Sequence, residues 1–300
     1  MSRSGRIAPE HERHYDEHGY AIVEGFLSAD ELTQAREEIR ETLPGWIEFC
    51  DDPSRPKPEF PSKIVPGLGG ARFPFVGNAL NHISLHPELI RFAVRNTAGS
   101  PVVCEQANLL AKCKGHPRDM DQVMHCDFGN HTLAYPPDLP EYWQTAYLLY
   151  YTDVDLDHAP TAVCSWRHYP ESLRWPAHYT REDRPGLYDN EVKVTVPAGS
   201  LLAYSMRTFH RGTPFHADVG RVVQFITFAP EAWRWLGIVG WPVEAIRPEF
   251  RAWIETASLE ERRQLGFPPP GHTYWTAETL EGVAARYPGM DMAPYREAMG

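Results

Sequence analysis

His210-Arg211-Gly212-Thr213-Pro214-Phe215-His216-Ala217-Asp218-Val219-Gly220-Arg221-Val222-Val223-Gln224-Phe225-Ile226-Thr227-Phe228 is the stretch whose reading decides the fold. From Val222 onward it is dominated by β-branched and aromatic residues, which suit a pleated, half-buried surface. From Arg211 to Gly220 it is rich in turn formers, so two strands joined by a turn are predicted. In an antiparallel hairpin, His210 and Arg221 would fall opposite one another and share a face.

The same alternation of short β-prone runs and turn residues extends from about 101 to 229, the pattern of a sandwich or jelly roll. Helices flank it. Ser28-Ala29-Asp30-Glu31 is a capping box opening a helix that runs to about Leu43, with Leu32, Ala35, Ile39 and Leu43 at helical spacing. A second helix is predicted from about Pro87 to Ala98. After Pro230 the character turns helical (231–236, 248–257, 258–265 and 277–286). Trp233, Trp235, Trp241, Trp253 and Trp275 make this tail aromatic, so it should pack back on the sandwich.

The expectation is one domain, mainly β with flanking helices and a double-stranded β-helix (jelly-roll) core. Residues 10–100 form an N-terminal helical support, 101–229 the core and 230–300 a helical extension. The Pro-rich excursion from 51 to 66 is a candidate lid, and 168–190 a candidate insertion over the barrel mouth.

Composition narrows the function. Across 300 residues, 42% are hydrophobic and 12% aromatic, enough for a sizeable core with a formed pocket. The formal net charge of −11 argues against nucleic acid or an anionic membrane as the main partner. Five cysteines, odd in number and without a Cys-x-x-Cys pair, fit reduced thiols in a cytoplasm. No apolar leader core and no membrane-length run is present, so a soluble, cytoplasmic protein is expected.

Chemistry concentrates in His125-Cys126-Asp127. Side chains two apart on a strand project from one face, so His125 and Asp127 can converge on a point. The chain has 14 His and three His-x-Asp copies, which must be told apart by context. His14-Tyr15-Asp16 sits in a predicted helix, where residues two apart do not face each other. His216-Ala217-Asp218 lies in the turn before Gly220. Only His125-Cys126-Asp127 follows a strand-like run and precedes another strand histidine, His210.

Two imidazoles and one carboxylate are the ligand set of non-haem Fe(II) oxygenases, which leave three positions open. Arg221 adds a fixed cation whose fork suits a carboxylate, pointing to 2-oxoglutarate. On the predicted strand from Pro101 to Lys112, the residues Gln106, Asn108, Leu110 and Lys112 share a face. Asn108 and Lys112 are therefore candidate co-substrate contacts. Phe128 and His131, just after Asp127, are candidate substrate neighbours. Tyr147, on the predicted strand from Thr145 to Asp153, joins them if it faces inward.

These motifs resemble the phytanoyl-CoA dioxygenase-like family of Fe(II)/2-oxoglutarate dioxygenases. The resemblance starts in His14-Tyr15-Asp16-Glu17-His18-Gly19-Tyr20 and continues through Met124-His125-Cys126-Asp127 and Val196-Pro197-Ala198-Gly199-Ser200 to His210 and Arg221. It spans roughly residues 10 to 230. It implies that His125, Asp127 and His210 hold iron, and that Arg221 holds the distal carboxylate of 2-oxoglutarate. Two departures stand out. Ser165-Trp166-Arg167-His168 replaces the Pro-Gly-Ser-His common in relatives; this makes Trp166 and His168 candidate substrate neighbours, and an acyl-CoA substrate is not implied. Arg211-Gly212-Thr213 follows the distal histidine where many relatives have Gly-Ser, leaving Thr213 as the available hydroxyl. The implied activity is hydroxylation of a small organic molecule using O2, with release of succinate and CO2. Two alternatives use the same residues: a metal-binding or small-molecule-sensing jelly roll without turnover, and a zinc hydrolase.

Overall fold

The computed structural model describes residues 5–59, 70–116, 119–131, 139–169, 177–233, 241 and 248–299. Its β-strands form two antiparallel sheets. One contains Tyr20–Val23 (β1), Gly70–Arg72 (β2), Val102–Cys113 (β3), Thr145–Tyr150 (β5), Leu201–Ser205 (β9) and Gly220–Pro230 (β11), in the order β1-β9-β5-β11-β3-β2. The other contains Met124–His125 (β4), Thr161–Cys164 (β6), His178–Tyr179 (β7), Glu191–Lys193 (β8) and His210–Gly212 (β10), in the order β7-β4-β10-β6-β8.

Strand parity divides the core in two. On β5, Ala146, Leu148 and Tyr150 point between the sheets, where they meet Met124, Val163, Tyr204 and Phe209. Tyr147 and Leu149 point the other way, toward the helices and with the outward residues Leu109 and Ala111 of β3. That outer face is covered by the helices Ala29–Thr42 and Pro87–Asn96, which bury Ile39, Leu89 and Phe92 on it. The capping box at Ser28 and Glu31 is formed as expected, each side chain serving the other's backbone N–H. Trp253 and Tyr295 of the C-terminal helices and Trp275 of the loop between them belong to the same buried cluster. Burying an aromatic side chain of this kind contributes about 2–3 kcal/mol, so the tail is tied to the sheet by its rings. Trp235 and parts of both loop expectations, the lid and the mouth insertion, lie outside the described residues. No helix among the described residues is long and apolar enough to cross a membrane.

Two expectations fail here. The hairpin joining His210 to Arg221 does not form: β10 pairs with β4 and β6, whereas β11 pairs with β3 and β5. Each strand is already flanked on both edges, and the turn residues between them carry the chain from one sheet to the other. Tyr147 does not face the interior of the sandwich either. It is fully buried beneath the helices, and its hydroxyl donates to the Leu89 carbonyl at 2.7 Å.

Candidate metal centre

His125 and His210 are cross-strand partners on β4 and β10, with ring centroids 4.5 Å apart. Direct opposition in an antiparallel pair places both side chains on one face, here the face turned toward the other sheet. Asp127 follows where β4 ends, two residues beyond His125. Together the three offer nitrogen and oxygen atoms all within 4.8 Å of one another. His210 Nε2 lies 3.3 Å from one Asp127 oxygen, and His125 Nε2 3.6 Å from the other.

Each imidazole is fixed in the same way. His125 Nδ1 donates to the Val123 carbonyl at 2.8 Å, and His210 Nδ1 to the Thr208 carbonyl at 3.0 Å. A carbonyl can only accept, so Nδ1 carries a proton and Nε2 is the nitrogen turned toward Asp127. This is the outer hydrogen-bond pattern of metal-ligating histidines. Tyr204 donates its hydroxyl to the Asp127 carboxylate at 3.0 Å, orienting it.

Burial opposes ionisation of Asp127, but His210 and His125 beside it win and hold its carboxyl well below the usual carboxylate range. Burial and the neighbouring His210 push the His125 pKa down against the pull of Asp127. On His210, burial also lowers the pKa but Asp127 prevails and raises it. A half-buried carboxylate flanked by two imidazoles is a site suited to a cation. A divalent transition metal fits this donor set: two imidazole nitrogens and one carboxylate oxygen, on one side of a single point.

The three residues line a cavity of about 290 Å³ between the sheets. At one end of its wall stand Lys112 and Arg221, directly paired on β3 and β11. Arg221 is buried; one terminal nitrogen donates to the Ala159 carbonyl, while its Nε meets no acceptor among the described residues. Burial pushes the Lys112 ammonium down to about 8, helped by Arg221 and opposed by Asp119. Lys112 Nζ lies 3.3 Å from the Thr213 carbonyl and 3.8 Å from an Asp119 oxygen. Among the described residues, half-buried Lys112 has one carboxylate nearby, Asp119, and buried Arg221 has none, leaving a surplus of positive charge that an anion would neutralise.

Asn108 and His131 line the same cavity. Four other expected residues do not. The Thr213 hydroxyl donates to the Pro160 carbonyl at 2.7 Å, so it is spent on the loop; Thr161 is the threonine on the wall. Phe128 is buried in the inter-sheet core, 5.8 Å from the Arg207 guanidinium. Trp166 packs toward the N-terminal helix, 5.7 Å from Trp143 and 6.4 Å from Tyr15, and His168 is exposed. The reason is a short 3-10 turn at Trp166–His168, whose preceding Ser165 is bonded to His18 at 2.7 Å and so draws the segment away from the cavity.

Sequence reasoning also missed residues. Tyr204 supports Asp127, and Thr161, His116 and Phe225 complete parts of the wall. Tyr204 lies in Leu201-Leu202-Ala203-Tyr204-Ser205, buried throughout, where no polar alternation marks which face is inward.

The sequence profile of the phytanoyl-CoA dioxygenase (PhyH) family matches residues 15–223. No curated protein matches the sequence. Solved structures share the fold. The non-haem α-ketoglutarate-dependent carbocyclase SnoK from nogalamycin biosynthesis superimposes with a TM-score of 0.53 at 19% identity, over 75% of this chain and 84% of that one. The epimerase SnoN, solved with Fe3+, α-ketoglutarate and nogalamycin RO, gives 0.51 at 16% identity, over 74% and 83%. HygX from Streptomyces hygroscopicus, with nickel and 2-oxoglutarate bound, gives 0.50 at 16% identity, over 74% and 87%. The family profile spans well over half of the chain, including the His125-Cys126-Asp127 motif and His210, and on that ground the chain belongs to the phytanoyl-CoA dioxygenase family of non-haem Fe(II)- and 2-oxoglutarate-dependent oxygenases.

Proposed function

We propose that this protein hydroxylates a small organic molecule, with His125, Asp127 and His210 holding Fe(II) and Arg221 holding 2-oxoglutarate. The observation that carries the reading is the paired cation end of the cavity that also contains the three ligands. A sensor needs no such anion site, and neither does a zinc hydrolase.

The metal, when bound, supplies O2 activation coupled to conversion of 2-oxoglutarate to succinate and CO2. The chain supplies the rest. Val123 and Thr208 carbonyls hold the two imidazoles with Nε2 forward, turned to where the metal would sit. Tyr204 keeps one Asp127 oxygen turned to the centre. Arg221 receives the far carboxylate through charge-assisted hydrogen bonds, in a buried setting where they are strong. Lys112 adds a second charge there. The apolar residues Val223 and Leu148 in the wall limit water around the reacting groups.

The test is succinate formation from 2-oxoglutarate by iron-loaded protein in air, without added substrate. Slow uncoupled turnover that requires His210 and needs more 2-oxoglutarate in Arg221→Met supports the assignment. Well-folded, iron-loaded protein that makes no succinate, alone or with a substrate library, sinks it.

A further inference from the structure

The cavity has a second polar region that neither the metal nor a dicarboxylate uses. Gln106 and Asn108 project from β3 on the same face as Lys112, in register away from the cation end, and His131 lies beyond Asp127 on the other side. All three are buried: Asn108 is 5% exposed, His131 6% and Gln106 9%. Asn108 Oδ1 and His131 Nδ1 have no hydrogen-bond partner among the described residues. Buried polar atoms are nearly always paired, so such atoms in a cavity wall mark where a ligand completes the bonding.

2-Oxoglutarate is a poor match to this set. Its keto group and carboxylates only accept hydrogen bonds, and its charge belongs with Arg221 and Lys112. Asn108 Oδ1 needs a donor. Among the described residues, the charged side chains of the wall are Lys112, Arg221 and Asp127, so this region offers neutral partners: two amides and an imidazole. Beside them stand Phe225 and Leu110, apolar surfaces that suit the face of a ring.

We propose that this surface binds the primary substrate, and that the substrate is an uncharged, hydroxyl-rich ring compound rather than an acyl chain. The inference rests on the oxygenase reading above and deepens it. An alkyl chain laid along Gln106, Asn108 and His131 would leave their polar atoms dry, at a cost on the order of tenfold in affinity for each. A ring bearing several hydroxyls can donate to Asn108 Oδ1 and both donate to and accept from Gln106 and His131, with its C–H face on Phe225.

The test separates the two layers. Anaerobic protein with Fe(II) and 2-oxoglutarate is first checked for the visible charge-transfer band of the chelated co-substrate. Its absence in the wild type overturns the oxygenase reading and this inference with it. Zinc-loaded protein with 2-oxoglutarate is then offered myo-inositol and methyl β-D-glucoside, against decanoate and decanoyl-CoA, by saturation-transfer NMR. The expected result is transfer to the hydroxylated rings and none to the acyl probes. Gln106→Leu and His131→Phe should each lower that signal by at least about fivefold, the loss of roughly one hydrogen bond, while keeping the band. Transfer to the acyl probes, transfer to neither class in protein that shows the band, or an unchanged ring signal in both variants overturns the inference.

Discussion

The two sheets of this molecule divide the site between them, and they are built differently. The five-stranded sheet contributes His125 and His210 from strands of two and three residues, held by one cross-strand register and two short-range carbonyl bonds. The six-stranded sheet contributes Lys112 and Arg221 from strands of twelve and eleven residues, backed by the helix-covered core. The ligand side is precise through local hydrogen bonds, and the anchor side through long pairing. Metal binding and co-substrate binding should therefore fail independently.

Breaking the ligand side should have the largest effect. His210→Ala removes one of three ligands, and turnover should be lost entirely. Iron retained after dialysis, measured by plasma spectrometry, should fall by at least about a hundredfold in affinity, while the melting temperature stays within a few degrees. Breaking the anchor side should spare the metal. Arg221→Met should leave iron content unchanged yet weaken 2-oxoglutarate by about a hundredfold, the worth of a buried bidentate charge-assisted pair. Equal loss of metal in both variants would refute the division.

Smaller changes sharpen it. Lys112 titrates near 8, well below an ordinary ammonium, so its charge is present below that pH and lost above it. The 2-oxoglutarate Kd should accordingly rise between pH 7 and 9 by up to about tenfold, and Lys112→Met should be weak throughout and flat over the same range. Tyr204→Phe should cost about tenfold in metal affinity without changing 2-oxoglutarate affinity at saturating metal, as read by competitive metal titration.

A last contrast lies away from the site. Glu105, buried on β3, has one oxygen bonded to Gln144 at 2.8 Å and the other without a partner among the described residues, and burial pushes its carboxyl up to about 8. An acid raised in the folded state costs stability once pH exceeds its unfolded value, and the cost grows until pH passes the folded value. Urea unfolding of the wild type should lose a few kcal/mol between pH 5 and 8 relative to Glu105→Gln, which cannot ionise.

The sequence made some of this legible. Period-two parity put Gln106, Asn108, Leu110 and Lys112 on one face, and all four line the cavity. His-x-Asp in a strand context separated His125 and Asp127 from the two other copies, one of which lies in the helix Pro9–His18. Tyr147 was misplaced because Thr145–Tyr150 is buried on both faces, so no polar residue sets the phase of the strand. His210 and Arg221 were joined as a hairpin because Gly212, Pro214 and Gly220 suit a tight return and an inter-sheet crossing equally well. Trp166, His168 and Thr213 were placed by likeness to relatives, and a local 3-10 turn and a loop hydrogen bond settle their positions instead.

The most direct test of the central claim is spectroscopic and needs no substrate. Metal-free protein is mixed with Fe(II) and 2-oxoglutarate without oxygen, and the weak visible charge-transfer band of the chelated co-substrate is titrated in the wild type, His210→Ala and Arg221→Met. A band in the wild type, absent in His210→Ala and requiring far more 2-oxoglutarate in Arg221→Met, is the predicted result. No band in folded, iron-loaded wild type, or a band indifferent to both substitutions, would contradict it and favour a metal-binding or sensing role.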